Sequence, residues 1–156
     1  MSLESVRRHL SEAAPDLEVL VTENSSATVD LAAEAHGVAP AQIAKTLSFR
    51  LKEDVFLVVA RGDARLDNKK AKAAFGGKVK MLSLDEVQEI TGHPVGGVCP
   101  FGLATPLKVY CDLSLKAFDE VIPAAGATNA AVRISPDRMA EITEADWVDV
   151  CQDPPA

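Results

Sequence analysis

Apolar residues recur at helical spacing in several short stretches of the chain. The first stretch predicts an amphipathic helix over residues 2–13. An alanine-rich run over residues 27–36 follows Ser26, which suits the start of a helix, and precedes Gly37, which suits its end. This run therefore predicts a second helix. The cap residues Asp67, Ser83 and Ser135 predict three more helices, over residues 67–75, 83–90 and 136–142.

Alternation of apolar and polar residues predicts the strands. Residues 45–51 alternate with the period of a half-buried strand, and residues 55–60 form a continuous apolar run that is typical of a central strand. The polar residues 52–54 between them predict a hairpin turn. Shorter strands are predicted over residues 17–22, 78–82, 106–112, 121–123, 130–134 and 147–151.

The order of these elements predicts the fold class. About seven strands and four or five short helices are interleaved irregularly, which favours a mixed α/β fold of the α+β type over a regular doubly wound sheet. The length of 156 residues and the apolar share of 47% are enough for one core. Residues 1–156 are therefore expected to form a single domain.

Composition argues against several classes of function. The formal net charge of −7 argues against specific or general binding of DNA. The three cysteines have no CxxC spacing, which argues against a zinc site and against a disulfide framework. No signal peptide and no apolar run of roughly 20 residues, the length of a membrane span, is found in the sequence. We therefore expect a cytoplasmic protein without a membrane-spanning segment.

The stretch from His93 to Gly102, here called the glycine loop, holds two prolines, three glycines, a histidine and a cysteine. Helix-breaking residues at this density exclude a helix or a central strand. Because Val95, Val98 and Phe101 are apolar, the stretch is not a solvated linker. Such a loop either forms a tight crossover between two elements or brings its backbone close to a ligand.

A basic segment, residues 61–80, interrupts an acidic chain. It holds seven basic and two acidic residues, a net charge of +5 within a chain whose net charge is −7. A charged run of this kind is usually a solvated surface, but the contrast also fits a local binding site for a polyanion. The candidate binding residues are Arg61, Arg65, Lys69, Lys70 and Lys72.

Two single residues are candidates for chemistry. Lys45 stands at the beginning of the alternating strand, where a lysine is usually a solvated end residue. Cys99 would serve as a nucleophile if a base lay beside it, and His36 and His93 are the nearest histidines in sequence. The alternative is a buried and inert cysteine. The sequence holds none of the common motifs for phosphate binding, metalloprotease or serine hydrolase chemistry.

Three motifs in combination suggest a family. Residues 43–47 (IAKTL), residues 62–67 (GDARLD) and residues 96–102 (GGVCPFG) resemble motifs of the YbaK/EbsC family. Members of this family are free-standing relatives of the editing domain inserted in bacterial prolyl-tRNA synthetases. The resemblance covers roughly residues 25–151 and implies a mixed fold around a curved, partly closed sheet.

The resemblance implies trans-editing, which is hydrolysis of the ester between a wrong amino acid and a tRNA, without a metal, a cofactor or a covalent nucleophile. The functional lysine of the family falls on Lys45, and the backbone at Gly96, Gly97 and Val98 is expected to stabilise an oxyanion. The expected partners are the acceptor end of aminoacyl-tRNA and, transiently, prolyl-tRNA synthetase. The expected substrate contacts are Thr46, Pro100, Phe101, Gly126, Ala127, Thr128 and Asn129.

The amino acid and the activity leave alternatives open. Relatives that act on alanyl-tRNA for proline carry asparagine after the lysine, where this chain has Thr46, so cysteine, serine, threonine and small non-proteinogenic amino acids remain candidates besides alanine. One alternative to a deacylase is a non-catalytic regulatory module that binds nucleic acid or protein. Another is a cysteine-dependent hydrolase that uses Cys99. The presence of Lys45 together with the glycine loop favours the deacylase.

Overall fold

A computed structural model describes residues 2–152, and this range forms five α-helices, eight β-strands and two short 3-10 turns. The helices are α1 (Ser2–Ala13), α2 (Val29–His36), α3 (Asn68–Phe75), α4 (Leu84–Thr91) and α5 (Pro136–Thr143). The strands are β1 (Leu20–Val21), β2 (Ile43–Leu51), β3 (Asp54–Arg61), β4 (Lys80–Met81), β5 (Lys108–Asp112), β6 (Ile122–Pro123), β7 (Ala130–Ala131) and β8 (Asp146–Val148).

The β2–β3 hairpin is the centre of the larger sheet, and its antiparallel pairing is unbroken from Ala44 to Leu51. Beyond β3, β5 and β8 continue the sheet in parallel. Since β3 occupies one edge of β2, two short strands share the other edge. There β6 pairs with Ile43 and Ala44, and β4 pairs with Phe49 and Arg50. The sheet is mixed, as predicted, and it stays open because its end strands β4 and β8 do not pair with each other.

The hairpin separates two apolar clusters. Leu57 and Val59 point to the larger cluster, which also holds Cys99 and Phe101 of the glycine loop, and we call this side of the sheet the loop face. Side chains alternate along a strand, so Phe49, Val58 and Ala60 point to the opposite side. There they pack in a second cluster with Ala71 of α3, and we call this side the α3 face.

Most predicted helix ends are confirmed, but one cap is wrong. Helix α2 begins at Val29 because the Thr28 hydroxyl accepts the N–H of Leu31 at 3.1 Å. Ser26 instead donates its hydroxyl to the carbonyl of Thr128 at 3.2 Å. The cap is therefore Thr28, two residues after the predicted Ser26. The predicted caps Asp67, Ser83 and Ser135 each accept a backbone N–H in the first turn of the following helix.

Several strands are shorter than predicted. The strand predicted over residues 17–22 is reduced to Leu20–Val21, although Leu17 and Val19 pack against the larger cluster. Alternation indicates which residues are buried, whereas a strand also needs a neighbouring backbone to pair with.

Within residues 2–152, each helix is too short or too polar to cross a membrane.

The buried carboxylate of Asp112, the last residue of β5, is expected to stabilise the fold through two hydrogen bonds. Its side chain is 1% exposed, and its two carboxylate oxygens accept the N–H groups of Val150 at 2.8 Å and Ser114 at 2.9 Å. Asp112→Ala removes both acceptors, so the free energy of unfolding is expected to fall by about 3 kcal/mol. Urea denaturation measures this change. The exposed neighbour Asp119 is the control, and Asp119→Ala is expected to stay within about 0.5 kcal/mol of wild type. Equal stability of the two variants would contradict this account.

Candidate active site

A cavity of about 260 Å³ lies beside the outer edge of β2. Residues 26–29 before and within the start of α2, residues 43–48 of β2 and part of the glycine loop line it. Its mouth is apolar, because the lining residues Met81, Leu84 and Val95 remain 67%, 66% and 47% exposed.

The edge of β2 that borders this cavity is open. Strand β6 covers the beginning of that edge and β4 covers its end, so residues 45–48 have no strand partner there. The carbonyl of Ser48 faces this edge, since it accepts the N–H of Leu82 at 3.1 Å. Residues of an antiparallel strand turn their N–H and C=O groups to the two neighbours in alternation. Thr46 therefore presents both its N–H and its C=O to the open edge.

Lys45 connects this edge to the opposite side of the sheet. It is the third residue of β2 rather than its end, and it lines the cavity. Its partner across the hairpin is Ala60, so its side chain points to the α3 face, where Nζ donates to the carbonyl of Ala64 at 2.5 Å. Burial lowers the pKa of the Lys45 ammonium, and the nearby Asp63 carboxylate offsets this only in part. The ammonium thus lies on the face away from the glycine loop.

The glycine loop is pressed against two other backbone segments. Gly96 has φ +87°, and a Cβ added to it would lie 2.7 Å from the Cβ of Ala27. A Cβ on Gly97 would lie 2.8 Å from the nitrogen of Ala127. The N–H of Gly126 also donates to the Gly97 carbonyl at 3.0 Å. No larger side chain fits these two positions without moving the loop.

Only two of the three expected oxyanion donors remain. The N–H of Gly97 donates to the carbonyl of Pro94 at 2.9 Å, which closes a turn, so the prediction that it binds an oxyanion is wrong. Gly96 and Val98 line the cavity, and within residues 2–152 neither of their N–H groups has an acceptor. The loop therefore offers two unused backbone donors at the cavity wall.

His93 stabilises the glycine loop from inside the protein. Its ring is fully buried, Nε2 lies 2.7 Å from the carbonyl of Phe101, and Nδ1 lies 2.5 Å from the hydroxyl of Ser2. A carbonyl only accepts, so Nε2 carries the proton, and Nδ1 accepts from Ser2. Burial lowers the pKa of His93 and favours this neutral form. Nε2 therefore has no lone pair with which to activate Cys99, whose sulfur lies 3.6 Å away.

Cys99 has the properties of a structural cysteine. It is fully buried in the larger cluster, and burial raises its pKa to about 12. His36, the other candidate base, is the last residue of α2, and its Nε2 has no hydrogen-bond partner in the described part of the chain. The cysteine-dependent hydrolase is therefore not supported by the geometry.

The predicted substrate contacts divide into lining and supporting residues. Thr46 lines the cavity. The side chain of Phe101 is 0% exposed in the larger cluster and cannot contact a substrate there, and Pro100 lines a second cavity beside His9. The predicted contacts in the turn after β6 do not line the cavity either. Their backbone instead packs against or forms hydrogen bonds with the glycine loop and the segment before α2. These supporting residues are Gly126, Ala127, Thr128 and Asn129.

The basic segment also divides into two sets. Arg61 pairs with Asp63 at 2.6 Å, and Lys70 pairs with Asp149 at 3.2 Å. These two side chains already have an acidic partner within the protein, so the other three candidates are the better placed to contact tRNA, and tRNA binding by all five stays a prediction. The exposed candidates are Arg65, Lys69 and Lys72.

Sequence reasoning missed part of the cavity wall. Three hydroxyl residues, Ser26, Thr28 and Ser48, also line the cavity. Ser48 is only 5% exposed, whereas alternation alone places it on the outward side of a half-buried strand. The small polar side chain of Ser48 in an otherwise apolar strand was the signal that could have marked it as a cavity residue.

Within residues 2–152, no three His, Cys, Asp or Glu side chains are grouped so that they could hold a metal ion.

Comparisons with known proteins show which family the chain belongs to. A model of the aminoacyl-tRNA editing domain matches residues 23–142. The chain is 51% identical over 155 residues to the uncharacterized protein YwhH of Bacillus subtilis, with 98% of this chain and 99% of that protein covered. It is 28% identical over 120 residues to EbsC of Enterococcus faecalis, named a candidate Cys-tRNA(Pro)/Cys-tRNA(Cys) deacylase, with 76% and 73% covered.

Two further likenesses concern prolyl-tRNA synthetase. The proline–tRNA ligase of Kosmotoga olearia is 34% identical over 113 residues, which is 69% of this chain but only 19% of the ligase. A crystal structure of a candidate trans-editing enzyme for prolyl-tRNA synthetase superposes with a TM-score of 0.89 at 33% identity, covering 97% of this chain and 98% of that one. The chain belongs to the aminoacyl-tRNA editing domain family and, within it, to the YbaK/EbsC type.

The burial of the cysteines predicts that the folded protein does not react with thiol reagents. Burial raises the pKa of Cys99, Cys111 and Cys151 to about 12. At pH 8, roughly one such thiol in ten thousand is ionised, and only the thiolate reacts. A chromogenic disulfide reagent is therefore expected to detect no thiol within minutes in the native protein and all three after denaturation. Fast labelling of Cys99, assigned by peptide mass spectrometry, would restore the cysteine-dependent hydrolase as a candidate.

Proposed function

We propose that this protein is a trans-editing deacylase, which hydrolyses the ester between a small amino acid and the terminal ribose of a mischarged tRNA, on tRNA-Pro or a related tRNA. The observation that carries the proposal is the small cavity with two unused N–H donors, those of Gly96 and Val98, on its wall. Membership of the editing domain family supports the reaction class.

The chemistry asks little of side chains. Water adds to the ester carbonyl carbon, the carbonyl oxygen becomes an oxyanion, and the intermediate collapses to a free amino acid and a tRNA whose ribose oxygen takes up a proton. Two fixed backbone donors stabilise the oxyanion, and loss of one such donor typically costs about 10²-fold or more in rate. Among the described residues that line the cavity, Lys45 has the one titratable side chain, so positioning and electrostatic stabilisation carry the catalysis.

The location of the cavity suggests how the tRNA end lies. With the aminoacyl group inside, the ribose lies at the open edge of β2 and the terminal phosphate points toward the α3 face. The Lys45 ammonium gives one of its three N–H donors to Ala64, which leaves two for the phosphate. The apolar residues at the mouth offer the terminal adenine a surface on which to pack. They are Met81, Leu84 and Val95.

Lys45 is expected to be required for turnover but not for folding. In single-turnover deacylation of alanyl-, cysteinyl-, seryl- and threonyl-tRNA-Pro, Lys45→Ala is expected to lose roughly a hundredfold or more, since misplacing an ester by about 1 Å costs that much. Lys45→Arg restores part of the rate, because it keeps the charge with a different donor geometry. Thermal melts are expected to show a change in stability below about 1 kcal/mol, because the lost hydrogen bond to Ala64 is offset by relief from burying the ammonium.

The lowered pKa of Lys45 adds a pH test. Because burial favours the neutral amine, wild type loses the ammonium at a lower pH than an ordinary lysine, and its rate above the uncatalysed background falls on the alkaline side. Lys45→Arg stays charged there and loses this fall. The exposed Arg8 on α1 gives the control variant Arg8→Ala, which should match wild type. Turnover of no ester would favour the non-catalytic binding module, and a near wild-type rate for Lys45→Ala would contradict the role of Lys45.

The exposed basic residues are expected to act on binding rather than on chemistry. Lys69→Glu/Lys72→Glu should raise the Michaelis constant for aminoacyl-tRNA and reduce the slope of its logarithm against the logarithm of salt concentration by about two, one for each phosphate contact. Lys70 is kept because of its ion pair with Asp149. The control Arg7→Glu/Arg8→Glu changes the net charge equally on α1. If both double variants behave alike, net charge and not the basic segment determines binding.

A further inference from the structure

The hydroxyl of Thr46 is a buried polar group without a partner. Its Oγ1 atom makes no hydrogen bond within residues 2–152, and the residue lines the cavity. Thr46 is paired with Val59, whose side chain lies in the larger cluster, so the hydroxyl is on the loop face of β2. Native proteins leave few buried polar groups unpaired, and those that remain call for an explanation such as a ligand.

The other polar side chains of the lining are largely occupied. Ser26 donates to the carbonyl of Thr128, Thr28 accepts the N–H of Leu31, and Lys45 donates to Ala64. The exception is Ser48, which follows Thr46 by two residues on the same face and makes no hydrogen bond through its hydroxyl within the described residues. Unused hydroxyl groups are therefore concentrated on one short strip of β2, in a cavity that is otherwise lined mainly by apolar residues.

We infer that the Thr46 hydroxyl selects the amino acid, and that the cavity takes a small aminoacyl group with a hydroxylated side chain, seryl or threonyl, in preference to alanyl. The inference rests on the proposed deacylase function. A hydroxyl both donates and accepts, so it pairs with Oγ1, whereas an alanyl group leaves Oγ1 unpaired. A site built to bind a substrate hydroxyl rejects the analogue that lacks it.

The α-ammonium group of the substrate has a different acceptor. The backbone carbonyl of Thr46 lies in the plane of the sheet and faces the open edge, while Oγ1 points out of that plane toward the loop face. The carbonyl therefore suits the ammonium and leaves the hydroxyl for the side chain. Cysteinyl esters fall between seryl and alanyl esters, because a thiol is a weak hydrogen-bond partner.

The test compares seryl and alanyl esters of one tRNA under identical conditions. Wild type is expected to favour the seryl ester by about tenfold or more in kcat/KM. Thr46→Val keeps the shape and removes the hydroxyl, and it is expected to bring the seryl-to-alanyl ratio close to one. Thr46→Ser keeps the hydroxyl and should keep the preference. The control is Thr143→Val in α5, where the hydroxyl donates to the carbonyl of Met139 at 2.7 Å, and its ratio should equal that of wild type.

The outcomes separate the inference from the proposed function. Turnover of both esters without a preference for serine overturns the inference alone. An equal loss on both esters in Thr46→Val also overturns it, since Thr46 would then hold a group common to all substrates. A preference that survives in Thr46→Val has the same consequence. Turnover of neither ester by wild type overturns the proposed function on which the inference rests.

Discussion

Contact between backbones at the glycine loop fixes the geometry on which the site depends. Gly96 and Gly97 lie against Ala27 and Ala127, and a Cβ added to Gly102 would lie 2.5 Å from the carbonyl carbon of Ser5. The loop therefore touches the segment before α2, the turn after β6 and helix α1 without intervening side chains. Buried His93 binds the loop internally through the Phe101 carbonyl. Donors held in this way need no reorganisation when charge develops on a substrate, which is the condition for strong electrostatic stabilisation.

Strand β2 acts as a partition between two parts of the binding site. The side-chain period of two sends neighbouring residues to opposite faces, so Lys45 lies beside Ala64 on the α3 face while Thr46 lies in the cavity. Under the proposed function, the same strand presents a cation to a tRNA phosphate on one face and a hydroxyl to the aminoacyl group on the other. A one-residue change of register would exchange the two environments and abolish both. The unbroken pairing with β3 protects this register.

Features that depend on local sequence were predictable, and those that depend on distant partners were not. The hairpin and the caps of α3, α4 and α5 follow from patterns a few residues long. The motifs singled out the loop, Lys45 and Thr46 as candidates, and Lys45, Thr46 and part of the loop line the cavity, while their roles stay predictions. The occupied N–H of Gly97 and the ion pair of Lys70 could not be foreseen. The sequence shows which groups can form hydrogen bonds, but only the folded structure shows which of these groups already have a partner.

The open edge of β2 also bears on how copies of this protein meet one another. Exposed strand edges invite intermolecular pairing, and proteins usually cover them or interrupt them with charge. Here the part of the edge without a strand partner covers only residues 45–48, between β4 and β6, and within it the Ser48 carbonyl already accepts the N–H of Leu82. This stretch is shorter than a typical strand of about five or six residues. A strand from another molecule would have to displace β4 or β6 before it gained a useful ladder. This edge thus keeps unpaired backbone groups available to a small ligand while offering too short a ladder for a strand from another molecule.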